Sequence, residues 1–119
     1  LLANVPGLTI SCVEPQPLVV DLLRKNVSQF GDDRAHVLQA ALSAKKSEGY
    51  LQLDRANRGG SKLVEGSSEG TVEVPLVGAA DYFGAFDRLD LIKMDIEGHE
   101  SIVFEAASAE LERLQPKAI

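Results

Sequence analysis

Residues 90–100 read DLIKMDIEGHE, and this stretch constrains the fold more than any other. Leu91, Ile92 and Met94 crowd a short run with no clean alternation of apolar and polar residues. That is the pattern of a strand buried on both faces of a parallel sheet. Asp95, Glu97 and Gly98 then stand where the strand stops. In open α/β sheets, ligands bind outside the carboxyl ends of the strands. An amphipathic helix is expected from about His99 to Leu114, with Val103, Ala107, Leu111 and Leu114 on one stripe. Asp95, Glu97 and His99 therefore fall on a strand-to-helix turn. Glu100 needs no chemical role there, because an acid in the first turn of a helix faces the macrodipole favourably.

Alternation along the strand puts Leu91, Lys93 and Asp95 on one face. A lysine in a buried strand requires a partner, since an unpaired buried charge is costly. Asp95, Glu97 or a ligand would serve, or else the stem packs and the head snorkels to the rim.

Earlier in the chain, residues 1–7 read as a helix end running into a turn at Asn4, Pro6 and Gly7. Residues 8–13 form an apolar run rich in β-branched side chains, a buried strand. It stops at Glu14-Pro15-Gln16-Pro17, and Pro17 is well placed in the first turn of a helix over about 17–30. Val19, Leu23, Val27 and Phe30 are its stripe, and Gly31 its stop. Residues 36–42 read as a further strand leading to a turn at Ser43. Residues 49–53 and 71–76 both alternate, which predicts an antiparallel pair. Between them, 54–70 is rich in Gly and Ser and reads as a long, mobile loop, with a lid over a ligand as the preferred role. Residues 77–89 are a short connector, and 116–119 the start of one more strand. Strands alternating with helices give an α/β class with a mostly parallel, Rossmann-like sheet flanked by helices and a small antiparallel hairpin insertion. The parallel segments 8–13, 36–40 and 90–94 are expected to be adjacent.

Glu14 is the second chemical landmark. An acid at a strand end just before a helix is where nucleotide binders hold ribose hydroxyls, although a plain surface acid reads the same way. The 119 residues suffice for one domain with a real core. Twelve basic residues against 18 acidic ones give a net charge of −6, which argues against nucleic acid as a partner. The single cysteine, Cys12, forms no internal disulfide and suits a reducing compartment, so a cytoplasmic location is expected. No apolar run reaches the length of a membrane helix.

Several blocks together resemble the FkbM family of methyltransferases. They are Glu14-Pro15-Gln16-Pro17, Asn26 in the following helix, Ala41-Leu42-Ser43, and 57–61 in the Gly-rich loop. Val74-Pro75-Leu76 followed by Asp81 belongs with them, and so does the 90–100 block, the most specific. Their order and spacing agree over nearly the whole chain. Ala80 stands where the family usually has Leu before Asp81. The resemblance implies S-adenosylmethionine as cofactor and methylation of a hydroxyl on a small molecule or sugar. It also implies a class I methyltransferase fold that is incomplete here, because the family opens with a strand and Gly-rich turn and this chain starts after them. Residues 1–119 are thus expected to be one partial methyltransferase domain. Alone it should be poorly active, and it should self-associate through an exposed sheet edge.

Residue by residue, the resemblance implies that Glu14 binds the cofactor ribose and that Ala41, Leu42 and Ser43 lie near the adenine. Asp95 borders the methyl donor. Asp95, Glu97 and His99 are the candidate catalytic groups, a carboxylate or the imidazole serving as base. A metal at Asp95, Glu97 and His99 is disfavoured, since three alternating ligands on one short turn do not all point inward. A nicotinamide dehydrogenase on the same kind of sheet would need a Gly-x-Gly-x-x-Gly turn before Leu8. A non-catalytic nucleoside-binding module is the remaining alternative.

Overall fold

A computed structural model of the chain describes residues 1–31, 33–54 and 60–119. Asp32 and residues 55–59, with the Asn57 used in the resemblance, lie outside the described residues. The class is mixed α/β, and the chain divides into two compact units, Leu1–Ala41 and Leu42–Ile119.

In the first unit, strand β1 (Ile10–Val13) pairs in parallel with β2 (Ala35–Leu38), with Ile10 opposite Ala35 and Val13 opposite Leu38. The crossover between them is helix α1 (Pro17–Val27), which starts on its proline and is followed by a 3₁₀ turn over Ser28–Phe30. The expected single helix to residue 30 therefore tightens in its last turn, a common way to end. The expected stripe residues Val19, Leu23, Val27 and Phe30 are half-buried, while Val20 is the fully buried residue. Arg34 ties the N-terminal turn to this unit: its guanidinium donates to the carbonyls of Leu2, Val5 and Leu8 at 2.9, 3.0 and 3.2 Å.

The second unit holds a sheet ordered β3-β6-β4-β5, where β3 is Ala41–Ser43, β4 Ser47–Gln52, β5 Lys62–Val64 and β6 Thr71–Gly78. The expected antiparallel pair is present, with Leu51 opposite Val72 and Gly49 opposite Val74. This register puts the apolar sets of both strands on one face, where Leu51 and Val74 are buried. Gly49 makes room there: a Cβ would stand 2.9 Å from Leu76 Cδ1. β5 is a correction to the reading of 54–70 as loop, since Leu63 pairs with Leu51 across β4.

Helix α2 (Ala79–Gly84) follows β6 directly, and α3 (Glu100–Ala106) and α4 (Ser108–Leu114) replace the one helix expected over 99–114. The break is at Ala107, whose backbone leaves the helical region at φ −102°, ψ 9°. The stripe survives the break. Val103 and Ala107 are fully buried with Ala79 and Phe83, and Leu111 and Leu114 pack against them.

The largest correction concerns residues 90–96. They form no regular strand and are not buried on both faces. One parallel bridge joins Leu91 to Ala118, with Ile92 N–H donating to the Ala118 carbonyl at 3.0 Å and Lys117 N–H to that of Asp90 at 2.8 Å. The expected extra strand near 116–119 is thus reduced to this bridge. Ile92, Met94 and Ile96 pack on the helical cluster, while Leu91, Lys93 and Asp95 face outward. The expectation that 8–13, 36–40 and 90–94 are adjacent strands holds for the first two only. Isoleucine and methionine at alternate positions suffice to seat an extended segment on one side, and the apolar Leu91 on the other face hid that period.

Phe83 stands edge-on to Tyr82 and is 3% exposed, so truncating it opens a cavity in the helical cluster. Phe83→Ala should destabilise the chain by about 3–5 kcal/mol. Leu91→Ala, at an exposed position, should cost no more than about 0.5 kcal/mol. Urea unfolding followed by circular dichroism checks both.

Candidate functional site

Residues 95–100 form a turn into α3, and its shape comes from two consecutive left-handed residues. Glu97 has φ 48° and Gly98 φ 85°, and His99 N–H donates to the Ile96 carbonyl at 3.2 Å. Two positive φ values in the centre of a turn suit glycine and Asn or Asp, and Gly98 supplies one. Glu97 has a Cβ and pays about 1–2 kcal/mol for its conformation. Such strain persists only where the surroundings fix it, and it gathers at functional turns. One fixing element is Glu100, whose Oε1 accepts from Ile96 N–H at 3.2 Å. The Glu100 carboxyl is held below the usual glutamate range by its own backbone N–H first, then by those of Ile96 and Gly98, with His99 adding to the effect and desolvation opposing it.

Asp95 is 73% exposed and lies 3.9 Å from Lys93 Nζ, itself 81% exposed. The lysine therefore needs no buried partner, and a pair this open contributes little. Glu97 is exposed and lines a polar cleft of about 460 Å³ with Gln52, Leu53, Asp54, Gly60 and Lys62. Small-molecule sites occupy about 300–1,000 Å³. His99 is half-buried, and its Nε2 lies 3.3 Å from Ser43 Oγ on β3.

Alternation along β3 separates Leu42 from Ser43. Leu42 packs on the helical cluster, whereas Ser43 meets His99. Ala41, the last residue of the first unit, is 8% exposed. Glu14 follows β1, its N–H extending the parallel ladder to the Leu38 carbonyl at 3.0 Å. Its Oε1 accepts from Gln16 N–H at 2.8 Å. One carboxylate oxygen is thus committed to the chain's own turn. Cys12, within β1, has its thiol pushed up by burial, which favours its protonated form.

Of the residues singled out by sequence, the structure joins Ser43 to His99 and seats Asp95, Glu97 and His99 on one turn. Sequence reasoning missed Gln52, Asp54 and Lys62 as neighbours of Glu97. Only the apolar pair Leu63-Val64 after the glycines hints at the strand that carries Lys62 there. Among the described residues, no group of three or more His, Cys, Asp or Glu side chains is arranged to hold a metal ion. Nor is any helix among them long and apolar enough to cross a membrane.

Residues 7–119 match the family model described as the Methyltransferase FkbM domain. Comparison with curated proteins and with solved structures returned no match.

Two outcomes follow from the turn. Glu97→Gly should be more stable than Glu97→Ala by about 1 kcal/mol, because glycine relieves the positive φ and alanine keeps it. Equal urea midpoints for the two variants would show that the φ carries no cost. For Glu100, the folded pKa lies below the unfolded one. Its contribution is therefore fully present above the ordinary glutamate range and is lost as pH falls through the lowered value. The Tm difference between wild type and Glu100→Gln should be largest near neutral pH and narrow on acidification.

Proposed function

The chain belongs to the FkbM methyltransferase domain family, and from that premise we propose that it is an S-adenosylmethionine-dependent methyltransferase acting on a hydroxyl of a small molecule or sugar. The observation that carries this reading is the strained turn bearing Asp95, Glu97 and His99. Of its residues Glu97 lines the cleft with Asp54 and Lys62, and the turn falls inside the family-matched segment. In this reading residues 1–119 belong to a methyltransferase domain of Rossmann-like kind, working in the cytoplasm, with β1 and β2 among its parallel strands.

The residues present fit the cofactor at the ribose end. Glu14 stands half-buried at the end of a parallel strand, and a carboxylate oxygen accepts well from a hydroxyl. Ala41, Leu42 and Ser43 border the adenine through their backbone, since the Leu42 side chain packs on the core and the Ser43 hydroxyl meets His99. Asp95 borders the donor's cationic centre, where an exposed carboxylate attracts positive charge.

When bound, S-adenosylmethionine would supply an electrophilic methyl group for the acceptor oxygen, and Glu14 and Asp95 are the residues that would hold it. The chain's own work is orientation and proton removal. A neutral hydroxyl is a weak nucleophile, and a base within hydrogen-bond reach strengthens it. His99 is that base. Glu97 and Asp54, with Lys62, line the polar cleft and orient a hydroxylated acceptor there, which limits the geometries that reach the methyl group.

Glu14→Ala should weaken binding of S-adenosylhomocysteine to the full-length protein about tenfold to a hundredfold, the loss of hydrogen bonds to a charged acceptor. Calorimetric titration measures it. An unchanged dissociation constant removes Glu14 from the site.

A further inference from the structure

We propose that Ser43 is a positioning residue for His99: its Oγ accepts the ring's Nε2–H, and this leaves Nδ1 as the nitrogen that takes the acceptor's proton. The role of Nδ1 rests on the methyltransferase reading above, whereas the hydrogen bond and the tautomer stand without it.

The contact joins residues 56 positions apart at 3.3 Å, both half-buried. Each end is anchored. Ser43 ends β3, which lies beside β6 in the sheet. His99 precedes α3, where Val103 N–H donates to the His99 carbonyl at 3.3 Å and the Val103 side chain is fully buried. Although His99 holds the N-cap position, its ring caps no backbone N–H. The ring is turned to Ser43 instead.

A neutral imidazole has one donor and one acceptor nitrogen, and the partner of one nitrogen sets the state of the other. A serine hydroxyl can take either part, so the choice is made by what remains. Among the described residues, the ring's hydrogen bond is to Ser43 through Nε2. With the proton on Nε2, the ring's only N–H is satisfied. With the proton on Nδ1, that N–H has no acceptor from the chain among the described residues and turns to solvent, so the ring's own donor gains no partner held by the fold. The first tautomer is therefore preferred, and it points a lone pair on Nδ1 away from Ser43.

In that state the proton of the acceptor hydroxyl passes to Nδ1, and the ring becomes an imidazolium that still donates Nε2–H to Ser43. Hydrogen bonds of apo sites are often long and tighten in the working complex, which accommodates 3.3 Å.

The test reads the tautomer directly. The chain has two histidines, so a His36→Gln background leaves His99 as the single ring in a long-range ¹H–¹⁵N spectrum of labelled protein. At a pH where the ring is neutral, the Nε2–H form should dominate in that background and in the same background with Ser43→Thr, which keeps the hydroxyl. Ser43→Ala should lose the preference. A dominant Nδ1–H form, or a tautomer ratio unchanged by Ser43→Ala, overturns the proposal.

Turnover provides the second arm. Ser43→Ala should lower kcat by roughly tenfold, part of the base's contribution, while S-adenosylhomocysteine affinity stays within about threefold and Ser43→Thr recovers most of kcat. A fall in that affinity with the tautomer ratio intact would make the Ser43 hydroxyl a cofactor contact and overturn the positioning role. If wild-type protein binds no S-adenosylhomocysteine, the methyltransferase reading fails, and the tautomer result still decides the Ser43–His99 bond by itself.

Discussion

The placement of the candidate site depends on burial of one face of an extended segment. Ile92, Met94 and Ile96 are pressed onto the cluster made by Ala79, Phe83, Val103 and Ala107. Each half-buried aliphatic side chain contributes on the order of 1 kcal/mol. The three together hold a segment that has almost no ladder of its own beyond the bridge from Leu91 to Ala118. Because the period is two, seating Ile92, Met94 and Ile96 forces Lys93 and Asp95 outward. A slip by one residue would bury a lysine and an aspartate, so the register is held by the cost of burying charge as much as by the gain from the core.

The same packing explains why the turn after Ile96 tolerates strain. Ile96 is anchored in the cluster on one side of the turn, and Val103 is buried one helical turn beyond His99 on the other. Only two residues lie between Ile96 and His99, and the reversal demanded in that span takes positive φ at both. Gly98 meets the demand freely, whereas Glu97 does not. An acid is kept where glycine or asparagine would be more comfortable, which is the kind of local inconsistency that marks a functional position. Glu100 supports the turn from the helix side by binding the Ile96 N–H, so the two glutamates divide the work: one holds the backbone and the other faces the cleft.

Much of this was legible in the sequence, and the failures have physical causes. The β4–β6 pair was readable because both strands alternate and one face is buried, which fixes register. The stripe of Val103, Ala107, Leu111 and Leu114 was readable as a helical period, but the break at Ala107 was not, since alanine is the best helix former and carries no signal of a stop. Residues 90–94 misled because Leu91, 59% exposed, filled in the alternation of Ile92 and Met94 and imitated a strand covered twice. β5 escaped because three residues set among glycines and serines are shorter than any reliable period. In the site, the local turn was legible from Asp95, Glu97, Gly98 and His99 in sequence. The contact of Ser43 with His99 and the cleft around Glu97 were not, because they join segments through the sheet and leave no local pattern. Arg34, which binds three carbonyls of the N-terminal turn, is a further case of a long-range role with no sequence signature.

The environments of the three candidate groups also separate their roles in the proposed reaction. A base is efficient when its proton affinity suits neutral pH, and imidazole as a group lies nearer that condition than a carboxylate. Asp95 is 73% exposed and keeps its hydration, so it acts at most through charge. Glu97 is fixed by its strained backbone at the edge of a polar cleft, where in the proposed reaction its carboxylate oxygens would accept from hydroxyls of the methyl acceptor. His99 alone combines partial burial with a hydrogen bond to a residue on a second element. A rigid ring held at one nitrogen presents the other in a fixed direction, which is the requirement for a base that must meet one hydroxyl among several. In the proposed reaction the acidic residues that dominate this turn in sequence would frame the reacting group, and the imidazole between them would be the group that reacts.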